Sequence, residues 1–150
     1  MRRTLVVAIL LVTLPALVWG SSAAARETIG VVRNSSGTAT VTRGGQVLPV
    51  TAGTKLLVED ILDTGRDGTM GVILRDNSSI SIGPGSRLVL RKFLFSPAEG
   101  KFGLLVRISR GTMAYLSGLI GKLSPESARF ETPVATIGIR GTRFAVKVDE

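Results

Sequence analysis

The chain has 150 residues, of which 44% are apolar, which suits one domain with a hydrophobic core better than two. It carries 19 lysines and arginines against 11 acidic residues, a net charge of +8 at pH 7. The absence of cysteine and histidine excludes disulfide bridges, thiolate metal sites and histidine-based catalysis. We therefore expect a non-enzymatic protein without metal or cofactor, because most hydrolases and metalloenzymes depend on those two residue types.

Residues 1–25 have the pattern of a secretory signal peptide. Arg2 and Arg3 form a positive start, residues 5–19 form an apolar stretch that contains Pro15, and residues 23–25 are alanines typical of a cleavage site. A membrane-spanning helix needs about 20 apolar residues, so an uncleaved membrane anchor is the less favoured alternative. The pattern predicts a periplasmic or secreted protein that is not membrane-spanning after cleavage, with one domain over residues 26–150.

The basic side chains are scattered along the sequence, and only Arg91 and Lys92 are adjacent beyond the predicted signal peptide. The single tryptophan, Trp19, lies inside that signal peptide, and the chain has only one tyrosine. Nucleic-acid binding usually needs a basic stripe or stacked aromatic residues. We therefore expect no nucleic-acid partner, and instead an unknown envelope protein or an anionic envelope polymer.

From residue 26 onward, turn residues separate short segments that alternate apolar and polar side chains. Gly44 and Gly45 stand between two such segments, which is a hairpin signal. The next pair places Val72, Leu74, Ile80 and Ile82 on one face and turns at residues 76–77. Residues 104–115 continue this alternation through a glycine at position 111. The pattern predicts an all-β fold, an antiparallel sandwich or roll of many short strands and hairpins.

Two segments depart from the alternation. Residues 94–102 contain Pro97 and Gly100 and are predicted to form a surface loop. Residues 116–130 hold apolar side chains at helical spacing, but Gly118, Gly121 and Pro125 limit any helix to a short one. We expect a connecting helical turn or an apolar flap there.

The stretch TPVATIGIRGTRFAV, residues 132–146, sets two arginines among apolar and β-branched residues. The alternation puts Ile137 and Phe144 toward the core and Arg140 and Arg143 outward, on either side of a glycine turn or bulge at Gly141. A phosphate-binding loop would need a lysine followed by serine or threonine and then a helix, and these are missing. The arginines are interpreted as flanking a structural turn, with anion binding as the alternative.

Three blocks of the sequence, residues 59–90, 108–116 and 130–148, resemble the FecR domain family of bacterial cell-envelope proteins. The resemblance covers roughly residues 46–148 and is most specific at Thr132-Pro133 and at Gly141 through Phe144. It implies an all-β domain outside the cytoplasmic membrane. In the family's best-known role, such a domain follows a cytoplasmic anti-sigma segment and a membrane helix, and senses an outer-membrane iron-uptake receptor. Only residues 1–4 precede the apolar stretch here, so a membrane-anchored sensor of that kind is the alternative interpretation.

The preferred functional hypothesis is a periplasmic binding or interaction module, with signalling or envelope-polymer binding as its possible uses. Its candidate partner-binding residues are Arg140, Arg143 and Lys147, because the alternating final strand is expected to present a charged edge. Because similar sequences commonly continue beyond this block, we expect that strand to be an exposed edge or to be completed by a partner. The alternative is that the strand already pairs inside the domain and that its arginines only make the surface soluble.

The acidic residues near two glycines suggest two further alternatives, a carboxylate-based enzyme and a calcium site. The spacing of these acids does not match a dedicated calcium loop, and Arg66 lies among them. We expect these acidic side chains to lie on turns at the surface. The four residues are Glu59, Asp60, Asp63 and Asp67.

Overall fold

The computed structural model describes residues 26–140 and 143–149. The predicted signal peptide and its cleavage site lie outside the described residues, and so does the predicted turn at residues 141–142. Within the described part, the chain forms twelve strands, one five-residue helix and two turns of 3-10 helix. In chain order these are β1 (Gly30–Ser36), β2 (Ala39–Arg43), β3 (Gln46–Pro49), β4 (Lys55–Leu56), β5 (Ile61–Thr64), β6 (Thr69–Leu74), β7 (Ser79–Ile82), β8 (Arg87–Ser96), β9 (Lys101–Leu116), α1 (Leu119–Leu123), β10 (Ala128–Glu131), β11 (Thr136–Gly138) and β12 (Arg143–Val148), with the 3-10 turns at Pro97–Glu99 and Pro125–Ser127.

The strands form one curled sheet in which the long strand β9 is shared by two halves. The first half of β9 belongs to the order β3-β2-β5-β8-β9-β10-β11, and the second half belongs to the order β4-β1-β6-β7-β9-β12. The change of partner falls at Gly111, whose φ of 89° is in the left-handed region. A Cβ there would lie 2.5 Å from Ser86 Cα, so only glycine fits this crossing.

Side chains from both halves meet in one hydrophobic core. The alternation predicted from the sequence is confirmed, because the predicted inward residues of β6 to β9 are buried. At one end of this core three aromatic rings touch: Phe130 lies 4.7 Å from both Tyr115 and Phe144, measured between ring centroids. The hairpin predicted at Gly44 and Gly45 is also present, with positive φ at both glycines. The predicted all-β fold is therefore confirmed.

The prediction of a surface loop over residues 94–102 was wrong. Strand β8 continues to Ser96 and β9 begins at Lys101, so most of that segment is a hairpin closed by a 3-10 turn. Phe95 and Phe102 are directly opposite each other in this hairpin, with ring centroids 6.2 Å apart. A cross-strand aromatic pair of this kind stabilises the ladder on both sides of the proline and glycine.

Residues 117–127 carry the chain from the end of β9 to β10. The short helix predicted in this region is present as α1, and Ile120 anchors it in the core. Because this connection returns the chain to the start of β9, β10 pairs with β9 in the parallel direction, an exception to the expected antiparallel order. None of the helices in the described part of the chain is long and apolar enough to cross a membrane.

Candidate interaction surface

The structure brings together two of the three candidate partner-binding residues. Arg143 and Lys147 lie on β12, and their side chains are exposed on the same outer face of the sheet. Arg140 is exposed as well, but it follows β11 and lies outside β12. The surface described below is therefore built on Arg143 and Lys147.

Strand β12 lies at an edge of the sheet, because β9 is its only pairing partner among the described residues. The hydrogen bonds of β9 show which side of β12 is free. Gly83 N–H on the β7 side donates to Thr112 C=O at 3.0 Å, so Thr112 points its backbone groups toward β7. Backbone direction alternates along a strand, and consequently Met113 and Tyr115 face β12.

Met113 is opposite Val146, and Tyr115 is opposite Phe144. The backbone N–H and C=O groups of Phe144 and Val146 therefore bond to β9, while those of the intervening residue Ala145 point away from the sheet. The same alternation turns the backbone groups of Arg143 and Lys147 outward. These three residues thus present an unpaired backbone edge, and they also carry the outward side chains of the strand.

A groove of about 530 Å³ crosses the outer face of the sheet and reaches this edge. Its floor is a row of five residues in register, one from each of five strands. At one end of the row, the side chain of Asn34 covers Gly71: a Cβ on Gly71 would lie 2.0 Å from Asn34 Oδ1. Among the described residues that line the groove, Lys147 is the single charged one. The row, from β1 to β12, is Asn34, Gly71, Ser81, Ala114 and Ala145.

The charge at this edge is positive. Arg143 makes no ion pair with any residue in the described ranges. Lys147 Nζ lies 3.3 Å from Asp149 Oδ1, but both side chains are more than two-thirds exposed. Ion pairs that exposed contribute little and exchange readily, so Arg143 and Lys147 can both interact with an incoming carboxylate.

The four acidic residues considered for an enzyme or calcium site do not converge. Glu59 pairs with Arg91 at the surface, and Asp63 Oδ1 lies 3.6 Å from both Arg87 and Arg110. Within residues 26–140 and 143–149, no three acidic residues are close enough to hold a metal ion. The prediction that all four lie on turns at the surface was wrong for Asp60, which is fully buried, and for Asp63, which lies within strand β5.

Asp60 is buried because Arg43 reaches it with a two-pronged ion pair. Arg43 Nε and Nη2 donate to the two carboxylate oxygens at 2.8 and 2.7 Å. The hydrogen bond to Asp60 raises the pKa of Arg43 above its ordinary value. Leu57 N–H supplies a further bond at 2.8 Å. This pair is a structural link between β2 and the start of β5.

A second buried carboxylate, Asp76, was not singled out from the sequence. It accepts bonds from Ser78 N–H at 3.0 Å, Ser78 Oγ at 2.6 Å and Ile120 N–H at 3.1 Å. The same Ser78 hydroxyl lies 3.0 Å from Tyr115 Oη, and burial raises the pKa of Tyr115. The sequence predicts a turn at residues 76–77, but nothing local indicates that the carboxylate of Asp76 is buried under α1.

A sequence profile of the FecR protein family matches residues 60–150, well over half of the chain. The chain belongs to the FecR family. The resemblance inferred from its motifs is thereby confirmed, and membership supports a FecR-like module related to signalling. No curated protein and no solved structure matches the chain.

The FecR match covers the strands that build the candidate surface. It includes β6, β7, β9 and β12, which supply four of the five floor positions of the groove and the whole free edge. Strands β1 to β4 precede the match and contribute Asn34 at the far end of the groove. The edge and most of the groove are thus features of the FecR part of this chain.

Proposed function

We propose that this protein is a non-enzymatic interaction module of the bacterial cell envelope, acting in the periplasm. It binds an extended segment of a partner protein, which adds to the sheet as a strand beside β12. The observation that carries the proposal is the unpaired backbone edge at Arg143, Ala145 and Lys147. The predicted signal peptide and the membership in the FecR family support the envelope location.

Strand addition uses the backbone for affinity and the side chains for selection. A segment lying beside β12 would receive hydrogen bonds from three residues whose N–H and C=O groups otherwise face solvent. The basic side chains Arg143 and Lys147 disfavour pairing with another positively charged edge. They also steer an acidic segment toward the edge and increase its association rate.

Two proline substitutions test the two edges of β12 individually, the free edge and the edge that pairs with β9. Ala145→Pro removes an N–H that points outward, whereas Val146→Pro removes one that bonds to β9. In the domain of residues 26–150, we expect Ala145→Pro to keep the circular dichroism spectrum and to lose capture of the partner from envelope extract. We expect Val146→Pro to lower the midpoint of thermal unfolding.

Ala145→Ser serves as the matched control, because it keeps the side chain at the groove floor small and retains the outward N–H. It should capture the partner as the wild type does. If Ala145→Pro folds and captures the partner undiminished, the edge is not the binding site. A parallel sedimentation assay with peptidoglycan covers the polymer alternative, and co-sedimentation that persists in Ala145→Pro would replace strand addition with polymer binding.

A further inference from the structure

The surface beside the free edge specifies the chemistry of the added strand, and this inference rests on the proposed function. We infer that the partner segment carries an aromatic side chain opposite Ala145 and a carboxylate opposite both Arg143 and Lys147. Its pattern is therefore acidic, any residue, aromatic, any residue, acidic. The pattern is the same read in either direction, so it holds for parallel and antiparallel addition.

The carboxylates follow from the register of a sheet. Residues directly opposite each other on neighbouring strands place their Cβ atoms about 5 Å apart on the same face, and opposite charges there attract. Arg143 makes no ion pair with the described residues, and Lys147 has only the exposed Asp149. A segment with acids two positions to either side of its centre meets both cations at once.

The aromatic residue follows from the groove. Ala145 is the last floor position before the edge, and Ala114 is directly opposite it on β9. Neighbouring strands are about 5 Å apart, so a ring opposite Ala145 can lean back over Ala145 and contact Ala114. The floor next to the edge is formed by the apolar methyl groups of Ala114 and Ala145, and burying a ring there removes apolar area from water. A smaller side chain would leave the groove solvated.

A second copy of this chain fits the surface poorly. The outer face of β12 carries Arg143, Ala145 and Lys147, with Asp149 following the strand, so it offers no ring for the groove. A β12 pair centred on Ala145 would also bring Arg143 of each copy against Lys147 of the other. The complementary occupant is therefore a different chain with an acidic and aromatic strand.

The test uses a short blocked peptide of alternating threonines with aspartate, phenylalanine and aspartate between them, labelled for fluorescence anisotropy. Matched peptides replace the phenylalanine by alanine, or both aspartates by asparagine. With the domain of residues 26–150, we expect the alanine peptide to bind about 10-fold more weakly, and the asparagine peptide about 5-fold more weakly with less dependence on salt.

Substitutions on the protein assign these losses to the groove and the cations. Ala114→Ile fills the groove beneath the ring and keeps a residue favourable to strands. It should reduce binding of the phenylalanine peptide to the level of the alanine peptide and leave the alanine peptide unchanged. Arg143→Gln should weaken the aspartate peptide more than Lys147→Gln does, because Lys147 already shares its charge with Asp149.

The outcomes distinguish this inference from the proposed function. Equal binding of all three peptides, abolished by Ala145→Pro, would retain strand addition and overturn the acidic and aromatic pattern. Peptide binding that survives Ala145→Pro would overturn both. A dimer that forms at micromolar concentration in sedimentation velocity and dissociates in Ala145→Pro would show that a second copy occupies the edge, and would also overturn the pattern.

Discussion

Two carboxylates in this protein are equally buried and are stabilised in different ways. Asp60 and Asp76 both have a relative exposure of 0%. Asp60 has a cation, Arg43, whose side chain remains 30% exposed. Asp76 has no cation at ion-pair distance in the described part of the chain and depends on a hydroxyl and two backbone N–H groups.

The two sites differ in whether water can replace a contact that is lost. If Asp60 is removed, the Arg43 guanidinium can turn toward solvent, because part of it is already there. If Asp76 is removed, the donors that it satisfies stay buried at the base of α1, since neither Ser78 nor Ile120 has any exposure. An unsatisfied buried donor costs more than a lost surface contact contributes. Asp76 is therefore expected to be the more costly of the two carboxylates to replace.

The largest effect is expected for Asp76→Ala, about 3–5 kcal/mol of unfolding free energy, because three donors lose their acceptor together. Urea denaturation followed by circular dichroism measures this loss. Asp67→Ala is the matched control, since Asp67 is exposed in the turn before β6 and its loss should stay within about 0.5 kcal/mol. A small effect at Asp76 would mean that water replaces its carboxylate.

The next prediction removes the cation of the ion pair between Arg43 and Asp60. Arg43→Met leaves Asp60 buried without a cation and should cost about 2–4 kcal/mol. The double variant Arg43→Met with Asp60→Leu should recover most of that loss, because it removes both charges together. Urea denaturation of the two variants provides the measurement. An unchanged loss in the double variant would indicate that Asp60 also holds Leu57 N–H in a way that an apolar side chain cannot replace.

A smaller effect is expected where the Asp76 cluster meets β12. Phe144 is half-buried rather than fully enclosed, and it contacts Tyr115 at a centroid distance of 5.6 Å. Phe144→Ala should therefore cost about 2–3 kcal/mol, below the range for a fully buried ring. Arg143→Ala, one residue away on the outer face, should cost less than about 0.5 kcal/mol. Thermal unfolding of both variants checks this, and equal losses would contradict the assignment of faces.

The smallest effect concerns Tyr115, the only tyrosine of the chain. Burial is the largest influence on its pKa and raises it above the ordinary value of 10.0. The next largest is a hydrogen bond with Ser78, which lowers the pKa, followed by the charge of Asp76, which raises it. The folded state holds this proton more tightly than the unfolded state, so the contribution to stability is complete below pH 10. It is lost as the pH rises through the pKa of the folded protein.

An alkaline titration of tyrosinate absorbance reports this single group. We expect Asp76→Asn to lower the apparent pKa of Tyr115 and Ser78→Ala to raise it, because they remove effects of opposite sign. Shifts in the same direction would mean that both variants act by loosening the site rather than through charge and hydrogen bonding.

The core strands could be predicted because their information is local. A period of two places Val72, Leu74, Ile80 and Ile82 on one face whatever the strands pair with, and all four are buried. The same parity put Arg143 and Lys147 on the outer face, where both are exposed. The pair of glycines at positions 44 and 45 likewise predicts the hairpin between β2 and β3.

The buried carboxylates could not be predicted because their partners are far away in sequence. Asp60 is buried by Arg43, 17 positions earlier, and Asp76 accepts a bond from Ile120, 44 positions later. An acidic residue in a turn resembles a solvated one until those partners are in place. The hairpin of β8 and β9 was missed for a related reason, since Phe95 and Phe102 stabilise it across a proline and a glycine that locally favour a loop.

Outside residues 94–102, the sequence predicts most of the core strands and the face of each that points inward, since both depend on neighbours two positions apart. Beyond the hairpins of β2 with β3 and of β6 with β7, the neighbours of each strand are known only from the tertiary structure. It made β9 the shared strand, paired β10 to it in parallel and left β12 at the edge with Ala145 at the mouth of the groove. This is because packing of the whole core selects the strand pairing, whereas the backbone groups of any one strand can bond equally well to many partners.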